Sequence, residues 1–132
     1  MRTIGIEIKG SDCIPVLLEG TKQNFTIVDF PKTISLQDSY NSSDVRTFYE
    51  KLKSTFTESQ VNIISIKKRM EKGKFAGGAL SFKMEGLIQL ATDNNVHFIS
   101  SPQIKSLLKK NPLLVLPQIN KYQEQAFYAA FN

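Results

Sequence analysis

The first ten residues set a clear pattern. Thr3-Ile4-Gly5-Ile6-Glu7-Ile8-Lys9-Gly10 alternates strictly, placing Ile4, Ile6 and Ile8 on one face and Gly5, Glu7 and Lys9 on the other. A period of two predicts a strand with one carboxylate near its end. Gly5 beside Glu7 leaves room on the second face for a closely packed helix or a ligand. Gly10-Ser11-Asp12 supplies turn residues, and Cys13 to Glu19 predicts the returning strand of a hairpin. Pro15 removes one ladder donor, so this strand is expected to lie partly at an edge or to begin after it. A second turn, Gly20 to Asn24, leads into a third alternating strand, Phe25 to Asp29.

After Pro31 the polar stretch Gln37 to Ser43 reads as a loop, with Ser43 capping a helix from Asp44 to about Phe56. Val45, Phe48, Tyr49, Leu52 and Phe56 form its apolar stripe. Val61-Asn62-Ile63-Ile64-Ser65-Ile66 is apolar and β-branched, as a strand covered on both faces should be. Ala79 to Ala91 then places Leu80, Met84, Leu87, Ile88 and Ala91 at helical spacing. A short strand follows, Val96 to Ser100, and Ser101-Pro102 starts a helix that ends near Lys110, with Ile104, Leu107 and Leu108 inward and Lys105, Lys109 and Lys110 outward. Leu113 to Pro117 is an apolar connector expected beneath the last helix, Ile119 to Phe131. That helix presents Ile119, Tyr122, Ala126, Phe127, Ala130 and Phe131 to the sheet. The element order is thus β-β-β-α-β-α-β-α-α. It predicts an α/β fold on the ribonuclease H-like plan: a mixed five-stranded sheet, three antiparallel strands then two parallel, with helices on both faces.

Length and composition fit one domain over residues 1–132: 41% of residues are hydrophobic and 22% charged. The lone Cys13 cannot form an internal disulfide, and its apolar neighbours predict a buried, inert thiol. Glu7, Lys9 and Asp12 interrupt any secretory apolar segment, and no run of ~18 apolar residues occurs, so a cytoplasmic protein without a membrane partner is expected. Charge changes the picture more. Residues 1–60 carry 7 basic and 8 acidic side chains, net −1, whereas 61–132 carry 10 and 4, net +6. Much of that excess falls in one loop, where Lys67, Lys68, Arg69, Lys72 and Lys74 face a single acid, Glu71. The loop leaves the carboxyl end of a buried strand, where ligands collect in βαβ layers. It reads as a patch for DNA or RNA that Lys105 and Lys109 extend, or as a merely solvated turn. Gly77 and Gly78 either free helix amides for an anion or let the helix pack closely on the sheet. His97, alternating with Val96 and Phe98, reads as a structural histidine. Neither zinc spacing nor a P-loop or Rossmann fingerprint is present.

Two further motifs carry a likeness. Lys72-Gly73-Lys74-Phe75-Ala76-Gly77-Gly78-Ala79 with Phe82-Lys83, and Ser101-Pro102 with Ile104-Lys105, Leu108-Lys109 and Asn111-Pro112, join the opening Gly5-Ile6-Glu7-Ile8-Lys9-Gly10-Ser11. Together they resemble an uncharacterised family of small bacterial proteins in the ribonuclease H-like superfamily. More distantly, the chain is similar to the RuvC family of Holliday-junction resolvases. That resemblance implies a divalent-metal-dependent nuclease or resolvase with magnesium or manganese held by clustered carboxylates. Glu7 matches the carboxylate of the first strand, and Glu124 lies in the last helix near where a final acid is expected, so both are candidate catalytic and metal-binding residues. The closer register puts Gln125 at that last position. Lys67 and Lys68 stand where an acid normally ends the fourth strand, and a lysine there repels the ions an acid would hold. Asp12 and Glu85 could substitute only if the fold brought them inward. The other reading of Glu7 is a carboxylate paired with a lysine, Lys67 or the strand partner of Lys9. It goes with a catalytically inactive member of the fold that serves as an interaction or structural module, with a homodimer as one form.

Overall fold

The computed structural model describes residues 1–68 and 78–131. Strand β1 (Arg2–Lys9) forms a hairpin with β2 (Asp12–Gly20), and β3 (Phe25–Val28) adds antiparallel to the outer edge of β2. β5 (Ile63–Lys67) lies parallel to β1 on its other side, and β6 (Val96–Ile99) parallel to β5. The order β3-β2-β1-β5-β6 is the predicted mixed sheet. One element is additional: the two-residue β4 (Ile34–Ser35) pairs with Asp12 and Cys13. Pro15 lies inside β2, facing Ile6 of β1, between the segments that pair with β4 and with β3. The outer edge of β2 is unpaired there, so a residue without an N–H fits.

Register divides the molecule. Ile4, Ile6 and Ile8 are fully buried against α1 (Ser42–Glu58) and α2 (Ala79–Leu90), in a core with Phe48, Leu52, Met84 and Ile88. Residues Thr3, Gly5 and Glu7 share the opposite face with Ile14, Val16 and Leu18, under α3 (Ser101–Lys110) and α4 (Glu124–Phe131). Ala126, Phe127, Ala130 and Phe131 complete that second core with Leu107. Helices therefore cover both faces, as the element order requires. No helix among the described residues is long and apolar enough to cross a membrane.

Helix starts and one connector differ from expectation. Asn41, not Ser43, caps α1, its Oδ1 accepting the Asp44 N–H at 3.1 Å. Ser100, not Ser101, caps α3: its Oγ accepts the Gln103 N–H at 3.2 Å while Gln103 Oε1 accepts the Ser100 N–H at 2.7 Å, a reciprocal capping box. The last helix is shorter than predicted. Gln123 Oε1 accepts the Asn120 N–H at 2.9 Å and starts a 3-10 turn (Lys121–Gln123) before α4, so Ile119 and Asn120 precede it. The connector is covered only in part, with Leu114 packed on the core that Ala126 and Phe127 complete. Leu113 is 90% and Val115 80% exposed.

Cys13 is fully buried between the sheet and α1, as expected of an inert thiol. Burial, and after it the Asp12 carboxylate, push the thiol from 9.0 up to about 12. Since the folded value lies above the unfolded one, this stabilisation is whole below about pH 9 and is lost toward pH 12, at about 1.4 kcal/mol per pH unit. Between about pH 8 and pH 10, urea unfolding is expected to show ~1 kcal/mol more loss in the wild type than in Cys13→Ala. Equal losses would place Cys13 at the surface.

Candidate functional site

The parallel register of β1 and β5 builds the site. Gly5 pairs with Ser65 and Ile6 with Ile66, so the next residues along, Glu7 and Lys67, emerge side by side on the α4 face at the carboxyl ends of both strands. Alternation adds Lys9 to the same face. The Lys67 ammonium lies 3.7 Å from Glu7 Oε2, and the Lys9 ammonium 4.0 Å from Glu7 Oε1. Neither ion pair is close enough for a strong hydrogen bond. Glu7 Oε1 is buried without a hydrogen-bond partner among the described residues.

Depth decides what this corner shows to solvent. The Glu7 side chain is 7% exposed, that of Lys67 23% and that of Lys9 56%. An approaching molecule therefore meets ammonium groups with the carboxylate beneath them. Lys68 follows, exposed, its N–H donating to the Ile99 carbonyl at 2.7 Å and so fixed beside the end of β6. Glu7 carries −1, and Lys9, Lys67 and Lys68 together +3, a local net of +2. Helix α3 starts at the same end of the sheet, one residue after β6, and carries Lys105 and Lys109 exposed along its length. Arg69, Lys72 and Lys74 lie outside the described residues.

Helix α4 forms the roof over this face. A Cβ on Gly5 would lie 1.9 Å from the Ala126 carbonyl oxygen and 2.3 Å from the Ala130 nitrogen, so only glycine admits the helix. Ala130 and Phe131 line one cleft with Thr3 and Ile63, toward the start of β1. The helix thus runs antiparallel to β1, and its first turn, with Glu124 and Gln125 both half-buried, points toward the end that carries Glu7. Partial burial, then the Glu124 carboxylate one turn away, raise the Tyr128 phenol above its usual value. Asp12 is engaged elsewhere, accepting from the Ser35 hydroxyl at 2.5 Å. Glu85 is buried on α2, whose core face packs on the opposite side of the sheet from Glu7. His97 is exposed on β6.

This arrangement does not fit a divalent ion. Such ions want several anionic oxygens, and among the described residues no three His, Cys, Asp or Glu side chains gather to hold one. At about 4 Å two unit charges interact by roughly 4 kcal/mol at an effective dielectric constant of ~20, and a doubly charged ion beside Lys67 would feel about twice that as repulsion. A phosphate oxygen suits the same ammonium groups.

A family model described as "Protein of unknown function (DUF3010)" matches residues 1–132. The chain belongs to that family. Among solved structures, this DUF3010 chain is similar to the RuvC protein of Thermus thermophilus in complex with a Holliday junction substrate, at a TM-score of 0.72 and 10% identity, over 99% of this chain and 90% of that one. A second structure of Thermus thermophilus RuvC gives the same TM-score at 8% identity, over 99% and 92%. At such identity the likeness is one of fold, and it establishes the ribonuclease H-like plan for this DUF3010 member. No curated protein matches its sequence. Glu7, Lys67 and Lys68 are the members of this corner expected from the sequence, and Lys9 joins them only in the structure. The signal was present, since residues two apart on a strand share a face.

Proposed function

We propose that this chain is a cytoplasmic nucleic-acid-binding protein that holds a phosphodiester backbone at the joined carboxyl ends of β1 and β5, without cleaving it through a metal. The carrying observation is the layering of that corner: a buried Glu7 beneath the ammonium groups of Lys67 and Lys9, with Lys68 exposed alongside. Lys105 and Lys109 extend the contact along α3. Phosphate contacts of this kind fix position rather than read bases, so the expected binding is weakly sequence-dependent and strongly salt-dependent. Glu7 and Glu124 act in this reading as structural acids rather than as ligands for magnesium or manganese.

The test is a polarisation titration of labelled duplex DNA and RNA at several salt concentrations in excess EDTA. Affinity is expected to fall steeply with salt. The combined variant Lys68→Ala, Lys105→Ala, Lys109→Ala should lower the log–log slope by about 2 to 3, near 0.9 for each duplex phosphate that is no longer neutralised. A slope unchanged by these substitutions would remove the interface. Exposed Leu113 and Val115 favour a second reading, a protein-interaction module. Absence of any nucleic-acid binding at low salt would leave that reading in place.

A further inference from the structure

We propose that the Lys67 ammonium stands where a cation would otherwise sit against Glu7, and that Lys67 sets the preference of this corner for an anion over a metal ion. The inference holds whichever anion binds. Glu7 is fixed by the central strand and is 7% exposed, so its charge cannot be dispersed into water and requires a cation nearby. The fold supplies one from the adjacent parallel strand: Lys67 follows Ile66, the partner of Ile6, and reaches to 3.7 Å from Glu7 Oε2. Lys9 approaches the other oxygen only to 4.0 Å, and with 56% of its side chain exposed it is the looser of the two.

Glu7 Oε1 remains buried with no hydrogen bond among the described residues. The carboxylate therefore keeps acceptor capacity that an ammonium does not saturate but a metal ion could. Removing the Lys67 charge takes away both the counter-ion and the repulsion. Replacing it by a carboxylate puts a second anionic side chain beside Glu7 on the neighbouring strand, the donor pair from which a divalent site begins.

The experiment uses the full chain and manganese(II) alone, read by the paramagnetic signal of free manganese and by thermal unfolding. Wild type is expected to retain no manganese in a manner dependent on Glu7. Lys67→Glu is expected to gain a site with a dissociation constant lower by at least about tenfold, accompanied by a manganese-dependent rise in Tm. Both gains should vanish in the double variant Lys67→Glu, Glu7→Gln. Lys67→Gln, which removes the charge without adding another, serves where Lys67→Glu does not fold, and should show a smaller gain in the same direction. Manganese bound by wild type and lost in Glu7→Gln would overturn the proposal. So would folded Lys67→Glu and Lys67→Gln proteins whose affinity matches the wild type.

Discussion

Gly5→Ala is expected to cost at least about 3 kcal/mol, a large share of a domain stability of order 5–15 kcal/mol. The added methyl group would sit 1.9 Å from the Ala126 carbonyl oxygen, 2.3 Å from the Ala130 nitrogen and 2.8 Å from the Ala130 Cβ. Two of those three atoms belong to backbone, so no rotamer change relieves the overlap. The sheet cannot yield either, because Gly5 is paired on both sides, with Val16 and with Ser65. The remaining response is for α4 to lift away, which uncovers Phe127 and Phe131. Urea unfolding followed by circular dichroism measures the effect, and a variant within about 0.5 kcal/mol of wild type would show that α4 does not rest on β1.

That contact explains why so much of the fold was legible. A strict period of two on β1 is readable without coordinates, and it fixed which residues face which core. Once β5 is placed parallel and adjacent, Glu7 and Lys67 must meet, and the lysine-paired reading of Glu7 follows from register. Helix starts were harder for a definite reason. Asn41, Ser42, Ser43 and Asp44 can all cap, and the chain's entry angle rather than composition selects Asn41. At Ser100 and Asn120 the information was present, because each has a glutamine three residues on that completes the exchange of hydrogen bonds. Two residues of β4 show no period at all. Leu113, Val115 and Leu116 are apolar yet open to solvent, while Leu114 between them packs on the second core, since apolar character states a preference and burial needs a partner surface that the fold brings only to Leu114. At the site, Glu7, Lys67 and Lys68 could be named from the sequence, and Lys9 was not. Their order in depth could not, because exposure depends on where α4 lies.

Phe127→Ala is expected to cost about 3–5 kcal/mol, the range for removing a fully buried aromatic ring. Phe127 has no exposed surface, and its ring stands 5.7 Å from Phe25, 5.8 Å from Tyr128 and 5.8 Å from Phe131. Phe25 belongs to β3, at the edge of the sheet, whereas Ala126 and Ala130 sit over Gly5 on the central strand. The helix is therefore held in two ways: small residues let it approach β1, and Phe127 ties it sideways across β2 to β3. An eight-residue helix has little stability of its own, so α4 depends on those contacts rather than on helix propensity. Equilibrium unfolding and native-state hydrogen exchange together separate the outcomes. A lower midpoint with an unchanged m-value means that α4 unfolds with the domain. A reduced m-value, with fast exchange confined to α4, means that the helix has left the sheet and that Glu7 has lost its cover. Loss of less than about 1 kcal/mol with α4 still protected would show that the small residues over Gly5 suffice, and that the ring cluster is not what keeps the last helix above the Glu7 corner.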